Sequence, residues 1–145
     1  MLTKTFFSLL LLAASGATVG EATVLPTKET RVGPDPQAEG GILRNSKITW
    51  FHPGLGACGL YNGDGDIVAA LSYADFDPHT PNGNPNRNTQ CGRRVRISYQ
   101  GRITDVAIVD RCPGCPPGGL DLSPSAFQRL ADLGIGVIYG EWRWV

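Results

Sequence analysis

Apolar residues recur with a period of two along RRVRISYQGRITDVAIVD, residues 93–110. Val95, Ile97 and Tyr99 alternate with polar residues, Gln100 and Gly101 supply a turn, and Ile103 to Val109 returns as a partner strand. The run VAIV drops the alternation, which predicts a strand covered on both faces. KITWF (47–51) alternates polar and β-forming residues and reads as the first strand. IVAALSY (67–73) is a short apolar run compatible with a strand or a short helix. Helical spacing is seen in SPSAFQRLADL (123–133), where Ala126, Phe127, Leu130 and Leu133 form a stripe. Ser123 suits its N-cap, Pro124 its first position, and Gly134 its end. GVIYGEWRWV (136–145) closes the chain as a strand. A Gly-rich turn region (52–66) and a long loop of Asn, Pro and Gly (75–90) separate these elements. Many short strands and one helix, without internal repeats, predict a closed β-barrel.

The first residues change the picture of where the protein works. MLTKTFFSLLLLAASGA (1–17) has a basic flank, a short apolar run and small residues for cleavage, the form of a signal peptide. Its apolar run falls short of the ~20 residues that span a bilayer. Residues 18–44 lack hydrophobic periodicity and are rich in Pro, Gly, Glu and Thr, as expected of a disordered leader or propeptide. The folded domain is then residues 45–145, exported and extracellular, with no membrane contact after cleavage and a monomeric state expected. Between Ile42 and Val145 there are ten basic and nine acidic residues, a net of +1, which offers nucleic acid or an anionic membrane no electrostatic footprint.

Export also means an oxidising compartment, so Cys58, Cys91, Cys112 and Cys115 read as two disulfides. A zinc site is the competing reading. Only one Cys-x-x-Cys pair exists, however, and the two histidines complete no familiar ligand spacing, so no metal is expected. A redox motif in CPGC would sit at the start of a helix. Here CPGC runs into PPGG, which cannot begin one. No cofactor motif is present.

Five segments together carry a family resemblance. GACG (56–59), CGRRVRI (91–97), VDRCPGC (109–115), LDLSPSAF (120–127) and EWRW (141–144) resemble the double-psi β-barrel domain shared by expansins, barwin-like proteins and rare lipoprotein A. Loosenins, the single-domain expansin-related secreted proteins of fungi, are the branch it is most similar to. The resemblance spans roughly residues 47–145 and implies a mainly β fold, a six-stranded double-psi β-barrel with one or two short helices. It implies a protein that binds cell-wall polysaccharide, cellulose or chitin, and loosens it without hydrolysis. Thr49, Asp110 and Asp121 match the positions around the family's polysaccharide groove, and wall loosening depends on the aspartate matched by Asp121. Cys58 pairs with Cys91 in this resemblance, leaving Cys112 with Cys115. Bacterial expansins place a tyrosine where this chain has Cys112, so one stacking contact is missing.

Asp121 lies two residues before the helix cap, close to unpaired amides. An aspartate there ordinarily caps a turn or pairs with a neighbour such as Arg111; the matched motif favours a site role. If Asp110 and Asp121 approach within a few ångström, repulsion raises one pKa and makes that carboxyl a proton donor to a glycosidic oxygen. A Cys112–Cys115 bridge and its prolines would fix their spacing. Hydrolysis needs a second carboxylate at a set separation, and Asp110 is the evident candidate. Asp64, Asp66, Asp75 and Asp77 read as turn residues. Trp50, Tyr61, Tyr73 and Trp144 are the aromatic candidates for stacking on sugar, with Trp142 assigned to the core. Two other classes compete: a weak glycan-cleaving enzyme like rare lipoprotein A, and a protease inhibitor or plant-interaction effector that uses the PNGNPNRNTQ loop.

Overall fold

The computed structural model describes Gly16 and residues 41–145. The expected signal peptide, Gly16 apart, and the leader up to residue 40 lie outside the described residues. Six strands follow: β1 (Leu43–Trp50), β2 (Val68–Ser72), β3 (Arg94–Tyr99), β4 (Arg102–Cys112), β5 (Leu120–Leu122) and β6 (Ile138–Trp144). They close into a barrel in the order β1-β5-β2-β4-β3-β6, so every strand has two neighbours and no edge is left open. The β1–β5 and β2–β4 pairs are parallel, and the others antiparallel. Two short helices, α1 (Tyr73–Phe76) and α2 (Pro124–Gln128), complete the mainly β fold together with a few 3-10 turns.

The period-two pattern builds the barrel as expected. In β3 Val95 and Ile97 are fully buried while Arg94 and Arg96 are exposed. The β3–β4 hairpin turns on Gln100 (φ 46°) and Gly101 (φ 79°), two successive left-handed residues whose twist suits a tight hairpin. Ile48, Leu71, Ile108, Leu120, Leu122 and Ile138 fill the interior. Each such side chain contributes roughly 1.5–3 kcal/mol of burial. Phe76 from α1 and Phe127 from α2 join this core.

Three elements depart from the sequence reading. β1 starts at Leu43 rather than Lys47, because β6 supplies it with pairing partners as far back as Trp142 opposite Leu43. The VAIV run is not uniformly covered: Val106 and Ile108 are buried but Ala107 is half-exposed, so the alternation persists. Only Val109 is buried out of turn. The helix expected over 123–133 ends at Gln128. Arg129 and Leu130 donate to carbonyls three residues back, which tightens the last turn, and Asp132 is extended (φ −66°, ψ 141°). Leu130 stays buried despite this, so the apolar stripe keeps its role after the helix stops.

Candidate functional site

Strand register assembles a row of four residues. Thr49 lies opposite Asp121 in the β1–β5 pair, Asp121 opposite Ala70, and Ala70 opposite Asp110. Residues in register share a face, and the neighbours Ile48, Ala69, Leu71, Leu120 and Leu122 point into the core. The row therefore lies on the outside of the barrel. Thr49 Oγ1 donates to Asp121 Oδ1 at 2.7 Å. Asp110 and Asp121 flank β2 on opposite sides, so their backbones stand two strand spacings apart, about 9.5 Å. Ala70, with its small side chain, lies between them.

Asp110 is occupied by its own surroundings. Ala69 pairs with Ile108 but Ala70 pairs with Asp110, so Val109 is an extra residue and β4 bulges there. The segment GACG packs over this bulge. Cys58 N donates to Val109 O at 3.2 Å, while Ala57 N and Arg111 N donate to Asp110 Oδ1 at 2.7 and 2.8 Å. A Cβ at position 56 would stand 2.4 Å from Val109 O, so only glycine lets the segment come so close. The Cys58–Cys91 disulfide, with a Cα–Cα distance of 5.7 Å, ties the same segment to the chain before β3.

The stiff segment after β4 crosses the end of β2 to reach β5. Its Cys112–Cys115 disulfide closes a local loop, and Ser72 anchors that loop by donating from its N to Gly119 O (3.1 Å) and from its Oγ to Cys115 O (3.4 Å). Gly119 N turns back to Pro116 O at 2.8 Å, where a Cβ would be equally close to that oxygen. Gly118 is held on both sides, its N by Asp75 Oδ2 (2.6 Å) and its O by Trp142 Nε1 (2.8 Å). This clamped loop forms one wall of a groove of about 290 Å³, with Lys47, Thr49 and Asp121 on the other. The Asp121 carboxylate lies within 4.8 Å of both sulfurs of the bridge. Those sulfurs are bonded to each other and offer no thiolate to a metal ion.

The environment acts on Asp121. Burial beneath the loop pushes its pKa above the usual carboxylate range, the Thr49 hydroxyl opposes that, and the negative charge of Asp110 adds to it. A half-buried acid on the floor of an open groove can exchange hydrogen bonds in either protonation state.

A family model described as lytic transglycolase, a double-psi β-barrel domain, matches residues 47–142. The chain belongs to this double-psi β-barrel family. The papain inhibitor of Streptomyces mobaraensis is 38% identical to it over 109 residues, covering 72% of this chain and 73% of that protein. A solved structure of a Streptomyces papain inhibitor superposes with a TM-score of 0.67 at 36% identity, covering 74% of this chain and 97% of that one. An expansin variant from Clavibacter michiganensis, solved with cellohexaose, shares the fold at a TM-score of 0.56 and 23% identity. That match covers 70% of this chain and half of the expansin.

The double-psi barrel brings Thr49, Asp121, Cys112 and Cys115 together and leaves the aromatic candidates elsewhere. Trp50 packs against the core, donates from Nε1 to Leu133 O at 3.0 Å and meets His52 edge-on. Trp144 also packs against the core, edge-on to Trp142 and under the Arg93 guanidinium at 4.1 Å. Tyr73 begins α1 with Arg111 5.9 Å from its ring. Tyr61 sits on the exposed loop that follows GACG. Arg111, weighed as a partner for Asp121, forms a bidentate pair with Asp77 instead, at 2.6 Å for both contacts. The acidic turn residues do hold turns and loops: Asp66 accepts from Gly63 N, Asp64 meets His52, and Asp75 holds Gly118. Sequence reasoning missed Lys47 and the loop residues Pro113, Gly114 and Pro116 as groove walls. Lys47 had a signal, since it lies two residues before Thr49 and so on the same strand face.

Proposed function

We propose that this chain is a secreted, expansin-like protein that binds cell-wall polysaccharide, cellulose or chitin, along the groove over Asp121 and loosens it without hydrolysis. The observation that carries the reading is the Thr49–Asp121 pair on the groove floor, with a carboxyl whose pKa is raised. A protonated Asp121 donates to a glycan oxygen, an ionised one accepts from a hydroxyl, and either competes with the hydrogen bonds that pack polymer chains together. Hydrolysis asks for a second carboxylate acting on the same bond. Asp110 stands across β2 with Oδ1 engaged by two backbone amides, outside the residues that wall the groove. A single carboxylate in the groove favours loosening over two-carboxylate hydrolysis.

The test compares the wild type with Asp121→Asn on cellulose and chitin, following polymer binding, fibre weakening and release of reducing sugar together. Weakening by the wild type, its loss in the variant and no sugar released support the reading. Asp121-dependent release of sugar overturns it in favour of a lytic enzyme. A second reading, inhibition of a cysteine protease, is favoured by one specific observation: the 38% identity with a papain inhibitor over most of both chains.

A further inference from the structure

The loop 54–62 carries a feature that the groove does not use. Leu55, Leu60 and Tyr61 are 73%, 55% and 81% exposed, three large apolar side chains within seven residues. They stand on the two limbs of one loop, joined by a bridge between Leu55 and Tyr61. Gly56 N donates to Leu60 O at 2.9 Å, Gly59 N to Gly56 O at 2.9 Å, and Asn62 N to Gly54 O at 3.0 Å. At the middle of the loop Cys58 is crosslinked to Cys91, and Gly59 (φ 81°) packs against the Asn86 side chain. No charged residue occurs from Pro53 to Asn62. The result is a rigid, charge-free, apolar projection.

We propose that this projection is the surface by which the protein docks against a cysteine protease of the papain class. The proposal rests on the inhibitor reading and gives it a site. Clustered, exposed apolar side chains mark a surface that meets a partner. A protein partner suits them better than a glycan: sugar rings pack on flat aromatic faces, and two of the three anchors are leucines, which have no such face and no polar group for a hydroxyl. The centres of protein interfaces are depleted of charge, as this loop is, and a few apolar or aromatic anchors carry most of their energy. Because its hydrogen bonds and disulfide already fix the loop, docking loses little conformational freedom. The projection shares no residue with the walls of the Asp121 groove, so the two surfaces separate by mutation.

Papain inhibition is measured for the full chain, for Leu60→Asp, for Tyr61→Ser and for Asp121→Asn. Leu55→Ser is a further substitution on the other limb. The altered side chains are exposed, so thermal unfolding of the loop variants should match the wild type and certify their fold. The expected result is inhibition by the wild type, an inhibition constant raised at least tenfold in the loop variants, and no change in Asp121→Asn. Inhibition that persists unchanged in all the loop variants overturns this docking site and leaves the inhibitor reading standing. A wild type that does not inhibit papain removes both. Loop variants that lose binding to cellulose or chitin while still inhibiting papain assign the projection to the glycan site and overturn the proposal.

Discussion

Gly56→Ala is the sharpest test of how the barrel positions its acidic row. The added Cβ would stand 2.4 Å from Val109 O and 3.3 Å from the Asp110 Cβ. A carbon usually approaches a carbonyl oxygen no closer than about 3.3 Å, so the GACG segment must lift by roughly 1 Å. Val109 O is backbone on a paired strand and yields little. The lift stretches the bond from Ala57 N to Asp110 Oδ1, now 2.7 Å, to the edge of hydrogen-bonding range. Overpacking typically costs about 1–3 kcal/mol, and a hydrogen bond to a charged group contributes roughly 1.5–3 kcal/mol. The two overlap, so a loss of about 2–5 kcal/mol is expected. For a domain of this size each kcal/mol shifts the melting temperature by roughly 4–8 °C, which sets the expected fall at about 8 °C or more. Thermal unfolding followed by circular dichroism under non-reducing conditions reads it. Gly54→Ala is the control, since a Cβ there meets nothing within 4 Å. If the two variants melt within about 2 °C of each other, the tight seat of the loop on the bulge is refuted as the device that holds Asp110.

The two disulfides should differ in worth because they close loops of different length. Removing Cys58–Cys91, with a sequence separation of 33, is expected to cost about 3.8 kcal/mol in the chain-entropy account, and removing Cys112–Cys115, with a separation of 3, only about 2 kcal/mol. Paired Cys→Ser variants in urea denaturation check the order, and the reverse order contradicts it. Stability should also report the environment of Asp121. A carboxyl whose folded pKa is raised contributes stability below its unfolded pKa, and that contribution is lost as pH rises through the folded pKa. Asn does not titrate, so the stability of Asp121→Asn relative to the wild type should increase between pH 3 and pH 7. Urea denaturation at both values measures this, and a relative stability of the variant that stays constant or falls contradicts the assignment.

How much of this was legible in the sequence varies with the kind of interaction. Val95 and Ile97 announced their strand through strict alternation, and the hairpin at Gln100-Gly101 followed from residues adjacent in the chain. The helix after Ser123 was over-extended because spacing reports a buried stripe, and Leu130 satisfies that stripe from a tightened turn as well as from a helix. The family resemblance put Thr49 and Asp121 around one groove, and their hydrogen bond, between residues 72 apart, is one that periodicity alone does not give. What they left open was the separation of Asp110 from Asp121. That depends on β2 entering between β4 and β5, a consequence of barrel order rather than of the loop joining the two aspartates. The stiff loop sets a wall of the groove that holds Asp121. Among the aromatics, the sequence gives side-chain chemistry but not direction. Trp50 neighbours Thr49 in β1, and the pleat sends it to the opposite face.

The central claim is that glycan lies over Thr49 and Asp121. Titrating the isotope-labelled protein with soluble cello- and chito-oligosaccharides, and following backbone amide shifts, tests it most directly. Perturbations centred on Thr49, Gly114 and Asp121, and weakened in Asp121→Asn, are the expected result. Shifts centred on Leu60 and Tyr61, or none with either sugar, would contradict the account.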